Sequence, residues 1–303
     1  AHGLGLRVLL DFVPNHTAIE HPYAQHAAEH GAASHYYDFF RREKSNARFS
    51  RHENVRTVGE MDFVYYFWED LVMLDYDNPE VRRWMEEAGQ YWIETFDVDG
   101  YRIDAVWGVD ARTPRAMQDW RFALKRLKPE VLLLGETSAM RPEAFDDRYD
   151  AAYDWFGDES WVSHWTWQWE YSDDANLTLF NHPDEDARAA LLRASLTNDG
   201  SGLPEGAKVL RFMENNDLFR FAATHSLAET RMAAALLYSL PGLPLLYNGQ
   251  EIGYGAGSRE ADHPYSTVGM FNRAFSAFHP SDRVERAVAL DRVAAALEAI
   301  DRK

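Results

Sequence analysis

The sequence predicts an α/β fold of the (β/α) barrel type, on two observations. The first is a series of short apolar runs that end in polar or acidic residues, and runs without strict alternation are typical of parallel strands covered on both faces. The second is that helix-spaced segments separate these runs, with 32 residues from Asp104 to Glu136, about one strand–helix unit. The apolar runs span residues 6–11, 98–104, 131–136, 209–217 and 243–251.

A doubly wound sheet is the alternative arrangement of the same elements. Its dinucleotide-binding form carries a Gly-x-Gly-x-x-Gly motif between an early strand and a helix, and the sequence has no such motif there. The glycine-rich segment 253–257 leads instead into polar residues, which indicates a loop. In a (β/α) barrel the active site is built at the C-terminal ends of the strands, where the acidic residues of this chain are concentrated.

Composition narrows the classes of function. The chain has 303 residues, 46% of them hydrophobic, and a net charge of −18. This acidic balance disfavours nucleic acid and anionic membrane as partners. The sequence has no run of about 18 apolar residues and no signal-peptide pattern at its start, so it predicts no membrane span. With no cysteine, disulfides and thiolate metal sites are excluded, but secreted, periplasmic and cytoplasmic locations all stay open.

Several longer segments complete the pattern. Apolar residues at helical spacing predict helices over residues 79–96, 230–240 and 284–300. Residues 17–76 are too many for a simple connection, and they predict an inserted subdomain or a structured functional loop. A second excursion, 155–183, carries a cluster of four tryptophans within residues 161–169 that serve either core packing or sugar stacking.

Acidic side chains at the strand ends are the candidate chemical groups. Arg102 and Asp104 are two residues apart on one predicted strand, so their side chains lie on the same face and the guanidinium should keep Asp104 ionised. Glu136 follows Val-Leu-Leu-Leu-Gly, an apolar setting that favours the protonated acid. An ionised carboxylate beside a protonated acid is the pair that retaining glycoside hydrolysis requires. The alternative is that such residues only cap helices or pair with arginines.

Four ordered motifs carry a resemblance to a known family. They are Asp11-Phe-Val-Pro-Asn15-His16, Gly100-Tyr-Arg102-Ile-Asp104-Ala-Val, Leu134-Gly-Glu136-Thr and Phe212-Met-Glu-Asn215-Asn216-Asp217. Two supporting matches begin at Leu74 and Tyr247. The chain resembles the catalytic domain of the α-amylase superfamily, glycoside hydrolase family 13, whose fold is a (β/α)8 barrel of the TIM type.

The resemblance implies a role for each motif residue. Asp104 would be the nucleophile, Glu136 the acid/base, and Asp217 the carboxylate that holds sugar hydroxyls. Arg102 would orient the nucleophile, and His16 would contact the sugar in the cleaved subsite.

Two departures from the family pattern bear on binding. Asn216 stands where the family usually has histidine, and its amide still donates a hydrogen bond but carries no charge. Trp107 and Gly108 replace a Lys-His pair, which puts an aromatic side chain where a +1 or +2 sugar would stack. The same replacement weakens the expectation that Asn15 ligates a structural calcium ion, as its counterpart does in many members.

The resemblance also implies a domain organisation. Residues 1–16 and 77–303 correspond to the barrel, domain A, with 149–154 as its sixth strand, and residues 17–76 correspond to domain B, inserted after the third strand. The counterparts of the first two barrel strands and of the C-terminal β-domain are missing, so we expect an N-terminally truncated fragment.

The expected function is that of a retaining α-glucoside hydrolase acting on α-1,4-glucans or maltooligosaccharides through a covalent β-glycosyl-aspartate. The chemistry would need no cofactor. A transglycosylase of the same family is one alternative, and a non-catalytic barrel relative that serves as an interaction subunit is another.

Overall fold

A computed structural model describes residues 1–46, 53–156, 159–163, 182–197, 202–216 and 221–253. The chain divides into two compact units, one of residues 1–137 with 141–152 and the other of residues 138–140 with 153–303. Among the helices in the described ranges, none combines the length and apolar character that crossing a membrane requires.

Within the described ranges, the first unit contains most of the regular structure. In chain order its strands are β1 (Leu9–Phe12), β2 (His16–Ala18), β3 (Asn54–Val58), β4 (Met61–Tyr65), β5 (Leu71–Met73), β6 (Gly100–Ile103), β7 (Leu132–Ser138) and β8 (Ala151–Tyr153). The last residue of β7 and the last residue of β8 belong to the second unit. Its helices are α1 (Pro22–His30), α2 (Pro79–Phe96), α3 (Val106–Arg112) and α4 (Pro114–Leu127).

A parallel sheet forms the centre of this unit. Strand β6 lies between β1 and β7, with Gly100 opposite Leu9 on one side and Leu132 on the other. The register places Asp11 directly opposite Arg102, so their side chains leave the sheet on the same face. The sheet register therefore brings an acidic and a basic side chain together near the C-terminal ends of the strands.

Helix α2 shows why the local sequence folds as it does. The Asn78 side chain caps the helix by accepting a hydrogen bond from the Glu80 N–H at 2.8 Å, and Pro79 occupies the first helical position. The helix buries Met85 and ends at Phe96, and the next residue, Asp97, adopts the left-handed conformation with φ of 53°. Trp120 of α4 is buried and donates to the Met85 carbonyl at 3.0 Å, so the two helices pack through their apolar faces.

A second, antiparallel sheet lies within residues 16–73. Its strand order is β2-β5-β4-β3, and Phe40 packs edge-on against Phe63 of β4 with ring centroids 5.3 Å apart. Both rings are buried. The segment that sequence analysis assigns to an insertion thus has a sheet and a core of its own.

The second unit is described in part. Its elements are β9 (Trp155–Phe156), β10 (Glu159–Ser163), α5 (Glu185–Thr197), β11 (Val209–Arg211), α6 (Phe221–Thr224), α7 (Leu227–Ser239) and β12 (Leu243–Pro244). Strands β11 and β12 pair in parallel. Met213, Phe221, Ala233 and Leu237 form a buried cluster.

The observed elements differ from the predicted ones at their ends. The first strand begins at Leu9 rather than Leu6, whose side chain is exposed, since pairing with β6 runs from residue 9 to 12. Helix α7 begins three residues earlier than predicted because Ser226 and Glu229 form a capping box. The predicted helix 284–300 and most of the tryptophan-rich excursion lie outside the described residues.

Candidate active site

One arginine connects the acidic side chains at the strand ends of the first unit. Nη1 of Arg102 donates to Oδ1 of Asp104 at 2.5 Å and to Oδ1 of Asp11 at 3.0 Å. Nη2 of the same guanidinium donates to Oε1 of Glu136. The side chain of Arg102 is 13% exposed, so this charge acts largely out of solvent, where electrostatic interactions are stronger.

The predicted pairing of Arg102 with Asp104 is confirmed, but the pairing is not exclusive. Three strands, β1, β6 and β7, each bring a carboxylate to the same guanidinium. Arginine presents five donors in a planar fork, which allows one side chain to serve several carboxylates. The register of β6 with β1 and β7 brings the three carboxylates to Arg102. The spacing of residues within one strand does not predict these contacts between strands.

Glu136 is buried, with a side chain only 4% exposed, yet it is surrounded by hydrogen-bond donors. Its Oε1 accepts from Arg102, and its Oε2 accepts from the backbone N–H of Ala105 at 2.6 Å. The expectation of an apolar setting is therefore wrong for the carboxyl group itself. The apolar residues that precede Glu136 line the strand, whereas the carboxylate reaches the polar end of β6.

The turn after Asp104 directs the backbone N–H of Ala105 toward Glu136. Ala105 adopts the left-handed conformation, with φ of 46°, which is uncommon for a residue with a side chain. Such conformations cluster at functional sites, where the surroundings hold them in place. The Asp104 N–H donates to the Phe12 carbonyl at 2.8 Å, which anchors the turn to β1.

Asp104 is the more accessible of the two predicted catalytic carboxylates. Its side chain is 26% exposed, compared with 4% for Glu136. In the structure the Asp104 carboxylate is therefore more open to a ligand than the Glu136 carboxyl group.

His16 begins strand β2 and is half-buried near Asp104. Burial lowers the pKa of His16 below its usual value, and the charge of Asp104 opposes that shift without reversing it. The imidazole packs edge-on against Phe67 with centroids 5.7 Å apart. A neutral ring is therefore held close to the candidate nucleophile.

Trp107 belongs to an aromatic group with Tyr66 and Phe67. Its ring lies 4.9 Å from that of Tyr66 and 5.9 Å from that of Phe67, both in edge-on geometry, and 7% of the residue is exposed. Aromatic faces suit sugar stacking, but contact between Trp107 and a sugar stays a prediction. Tyr66 and Phe67 were not among the predicted site residues, since loop aromatics carry no positional signal in sequence.

The surroundings of Asn15 do not fit a calcium ion. Its Oδ1, the atom that would ligate the metal, accepts a hydrogen bond from Nη2 of Arg112 at 2.7 Å. A guanidinium in that position repels a divalent cation. Within the described ranges, no group of three or more His, Asp or Glu side chains is arranged to hold a metal ion.

The remaining predicted residues belong to the second unit. Asn216 is half-buried and follows the buried Asn215, beyond the end of β11. Asp217 lies outside the described residues. The roles of Asn216 and Asp217 stay predictions.

Comparison with known proteins places the chain in a family. Residues 1–275 match the model of the α-amylase catalytic domain. The chain therefore belongs to the α-amylase family, and the predicted α/β barrel class is confirmed.

Individual relatives agree with this assignment. The chain is 29% identical over 274 residues to α-amylase MalA of Haloarcula japonica, and the match covers 89% of this chain and 35% of that protein. It is 35% identical over 152 residues to a cyclomaltodextrinase of Geobacillus thermopakistaniensis, covering 50% of this chain and 24% of that one. The structure of a cyclic α-maltosyl-(1→6)-maltose hydrolase from Arthrobacter globiformis matches with a TM-score of 0.66 at 22% identity, covering 93% of this chain and 62% of that one.

The chain thus spans about a third of the length of the first of these relatives and less than two thirds of the third.

Proposed function

We propose that this chain is a retaining glycoside hydrolase that cleaves α-1,4-linked glucans or maltooligosaccharides. Asp104 attacks the anomeric carbon, Glu136 transfers the proton, and Asp217 holds sugar hydroxyls in the reacting subsite. The observation that carries the proposal is the bridging of Asp104 and Glu136 by the single guanidinium of Arg102.

Retention of configuration is what membership of the family predicts for this pair of carboxyl groups. Retaining enzymes hold their two carboxyl groups about 5–5.5 Å apart so that one attacks directly, whereas inverting enzymes leave about 6.5–9.5 Å for a water molecule. The guanidinium of Arg102 contacts both Asp104 and Glu136, which places the two groups in one site. Direct attack by Asp104 is assigned from the family motif that contains it.

The reaction then runs in two balanced steps. In the first, an Asp104 oxygen forms a bond to the anomeric carbon while the bond to the leaving oxygen breaks, and Glu136 gives its proton to that oxygen. In the second, water attacks the anomeric carbon, the bond to Asp104 breaks, and Glu136 takes the proton from water. Two inversions give a product with the α-configuration of the substrate.

Glu136 must change partners during this cycle. In the structure both of its oxygens accept hydrogen bonds, which favours the carboxylate form needed for the second step. Acting as an acid in the first step requires Glu136 to take up a proton and turn one oxygen from Arg102 or Ala105 toward the glycosidic oxygen. Displacement of water by the substrate would disfavour the charged form of Glu136 and so favour uptake of that proton.

The substrate class follows from the relatives and from charge. The relatives are named as an α-amylase, a cyclomaltodextrinase and a maltosyl-maltose hydrolase, all glucan-directed names. A net charge of −18 suits a neutral polymer better than an anionic one. Tyr66 and Phe67, which are half-buried and pack edge-on against Trp107, supply aromatic surface of the kind that sugars contact.

The test is the configuration of the first product. The purified chain is incubated with maltoheptaose or soluble starch, and the anomeric protons of new reducing ends are followed by NMR before mutarotation. The proposal expects α-anomers at first, and a loss of rate by about 10²–10⁴-fold in Glu136→Gln because general acid catalysis is removed. Initial β-anomers would overturn the retaining mechanism.

Two other functions give different results in the same assay. A transglycosylase yields longer oligosaccharides as substrate concentration rises, at the expense of glucose units released to water. A non-catalytic relative binds glucans by calorimetry and releases no reducing sugar. The exposed Asp119→Asn serves as the matched control for substitutions at the site.

A further inference from the structure

We propose that Arg112 supplies the positive charge beside Asn15 from within the chain and, through the Asn15 amide, fixes His16 as the tautomer that carries its proton on Nε2. This inference concerns the fold around three residues and holds whether or not the proposed function is correct. It also accounts for the misfit of calcium at Asn15.

Arg112 is enclosed where it meets its partners. It is the last residue of α3, and its side chain is 7% exposed. Nη2 donates to Oδ1 of Asn15 at 2.7 Å, and Nη1 lies 3.7 Å from Oε1 of Glu53, whose side chain is 1% exposed. A buried carboxylate requires a compensating cation, and the guanidinium provides it without a metal.

Gly108 makes room for this arrangement. A Cβ atom added at Gly108 would lie 2.8 Å from Oδ1 of Asn15 and 3.4 Å from Nη1 of Arg112. Gly108 and Arg112 are four residues apart on α3, so they lie on one face of the helix. A side chain at position 108 would compete for the space that Arg112 and the Asn15 amide fill.

Hydrogen-bond polarity then orients the Asn15 amide. Arginine only donates, so the amide atom that faces Arg112 must be the oxygen. The NH₂ group therefore points the other way, and Nδ2 lies 3.2 Å from Nδ1 of His16. Because the backbone carbonyl of Asn15 also accepts from the Leu74 N–H at 3.0 Å, the residue is held at both ends.

The same polarity decides the His16 tautomer. An amide NH₂ only donates, so Nδ1 of His16 must accept and cannot carry a proton. An imidazolium carries a proton on both ring nitrogens, so a ring whose Nδ1 accepts a hydrogen bond is neutral. A neutral ring with a bare Nδ1 carries its proton on Nε2, and it offers that N–H as a donor on its other side.

The first experiment tests the tautomer. Protein labelled with ¹⁵N-histidine is studied by long-range ¹H–¹⁵N NMR at pH 7.5, and the His16 signals are identified by their loss in His16→Gln. The unaltered chain should show an unprotonated Nδ1 and a protonated Nε2. In Asn15→Asp the carboxylate has no proton to donate, so Nδ1 of His16 should become protonated.

Arg112→Gln tests whether Arg112 fixes the orientation of the Asn15 amide and thereby the His16 tautomer. Without the guanidinium the Asn15 amide is free to turn, and His16 should show a mixture of tautomers. Arg42→Gln is the matched control, because that arginine pairs with the exposed Asp38 at 2.6 Å, and it should leave the His16 signals unchanged. A proton on Nδ1 in the unaltered chain would overturn the proposal even if Arg112→Gln does not fold.

The second experiment tests the built-in cation. The response of the melting temperature to EDTA and to millimolar CaCl₂ should be the same in the unaltered chain and in Asn15→Ala, and so should any binding of Ca²⁺ in calorimetry. A response to EDTA, or a defined Ca²⁺ stoichiometry, that Asn15→Ala abolishes would show that a metal occupies the position we assign to Arg112.

Discussion

The backbone N–H of Ala105 donates a hydrogen bond to Oε2 of Glu136 at 2.6 Å. This bond links the turn directly after Asp104 to the carboxylate on the neighbouring strand. Ala105 adopts the left-handed conformation, and its hydrogen bond to Glu136 helps to hold the backbone there. The two predicted catalytic carboxylates are thereby positioned by one guanidinium and by one turn.

Replacing Arg102 by lysine should remove the simultaneous hydrogen bonds from one side chain to Asp104 and Glu136. An ammonium group is a point charge that cannot present two terminal nitrogens to Asp104 and Glu136 at once. We expect kcat/KM on maltooligosaccharides to fall by about 10²–10³-fold, the magnitude for losing one preorganised electrostatic donor. Arg42→Lys, at an exposed ion pair, is the control. Activity within twofold of the unaltered chain for Arg102→Lys would contradict the shared role.

A methyl group at position 135 should disturb the strand of Glu136. A Cβ on Gly135 would lie 2.6 to 2.9 Å from ring atoms of Tyr149, a residue that is 4% exposed. Overpacking of this kind costs about 1–3 kcal/mol, so Gly135→Ala should lower the unfolding free energy by that amount in urea titrations. Activity should fall too, since the adjacent Glu136 moves with the strand.

The cause can be isolated by a second substitution. Gly135→Ala should cost much less in a Tyr149→Leu background, where the ring is gone, and Gly3→Ala, which meets nothing within 4 Å, should be nearly neutral. Equal costs of Gly135→Ala in both backgrounds would show that the ring contact is not the reason.

A buried ion pair in the second unit predicts a pH effect on stability. Asp154 accepts from Nη1 of Arg211 at 2.8 Å, with side chains 0% and 2% exposed, and burial raises the pKa of Asp154 to about 7. Because the folded state binds this proton more tightly than the unfolded state does, the contribution of Asp154 to stability is present below about pH 4 and is lost as pH rises to about 7.

Asp154→Asn removes that titration. The unfolding free energy of the variant, measured by tryptophan fluorescence in urea, should therefore decline less between pH 4.5 and 7.5 than that of the unaltered chain. Parallel stability profiles across this range would show that Asp154 does not titrate there.

Local sequence predicts some of this structure and not the rest. Helix α2 matches its predicted bounds because the cap at Asn78, the proline at 79 and the apolar spacing all lie within the segment. The pairing of Arg102 with Asp104 is predictable for the same reason, since Asp104 directly follows β6 and stands two residues after Arg102.

Features that depend on register between strands are not predictable in this way. The contacts of Arg102 with Asp11 and Glu136 join β6 to strands 91 and 34 residues away in sequence. The contact between Arg112 and Asn15 spans 97 residues. A signal for Arg112 does exist, because a glycine one helical turn before a buried arginine leaves space for its guanidinium, but the motif resemblance directs attention to Asn15 alone.

The central claim is that Asp104 forms the bond to the sugar, and trapping that bond tests it most directly. The chain is incubated with 5-fluoro-α-glucosyl fluoride, whose ring fluorine slows hydrolysis of the intermediate, and peptides are mapped by mass spectrometry. We predict one glucosyl adduct, on Asp104, that Asp104→Asn abolishes and Asp11→Asn retains. An adduct on Asp11, or reducing-sugar release with normal rate in Asp104→Asn, would contradict the account.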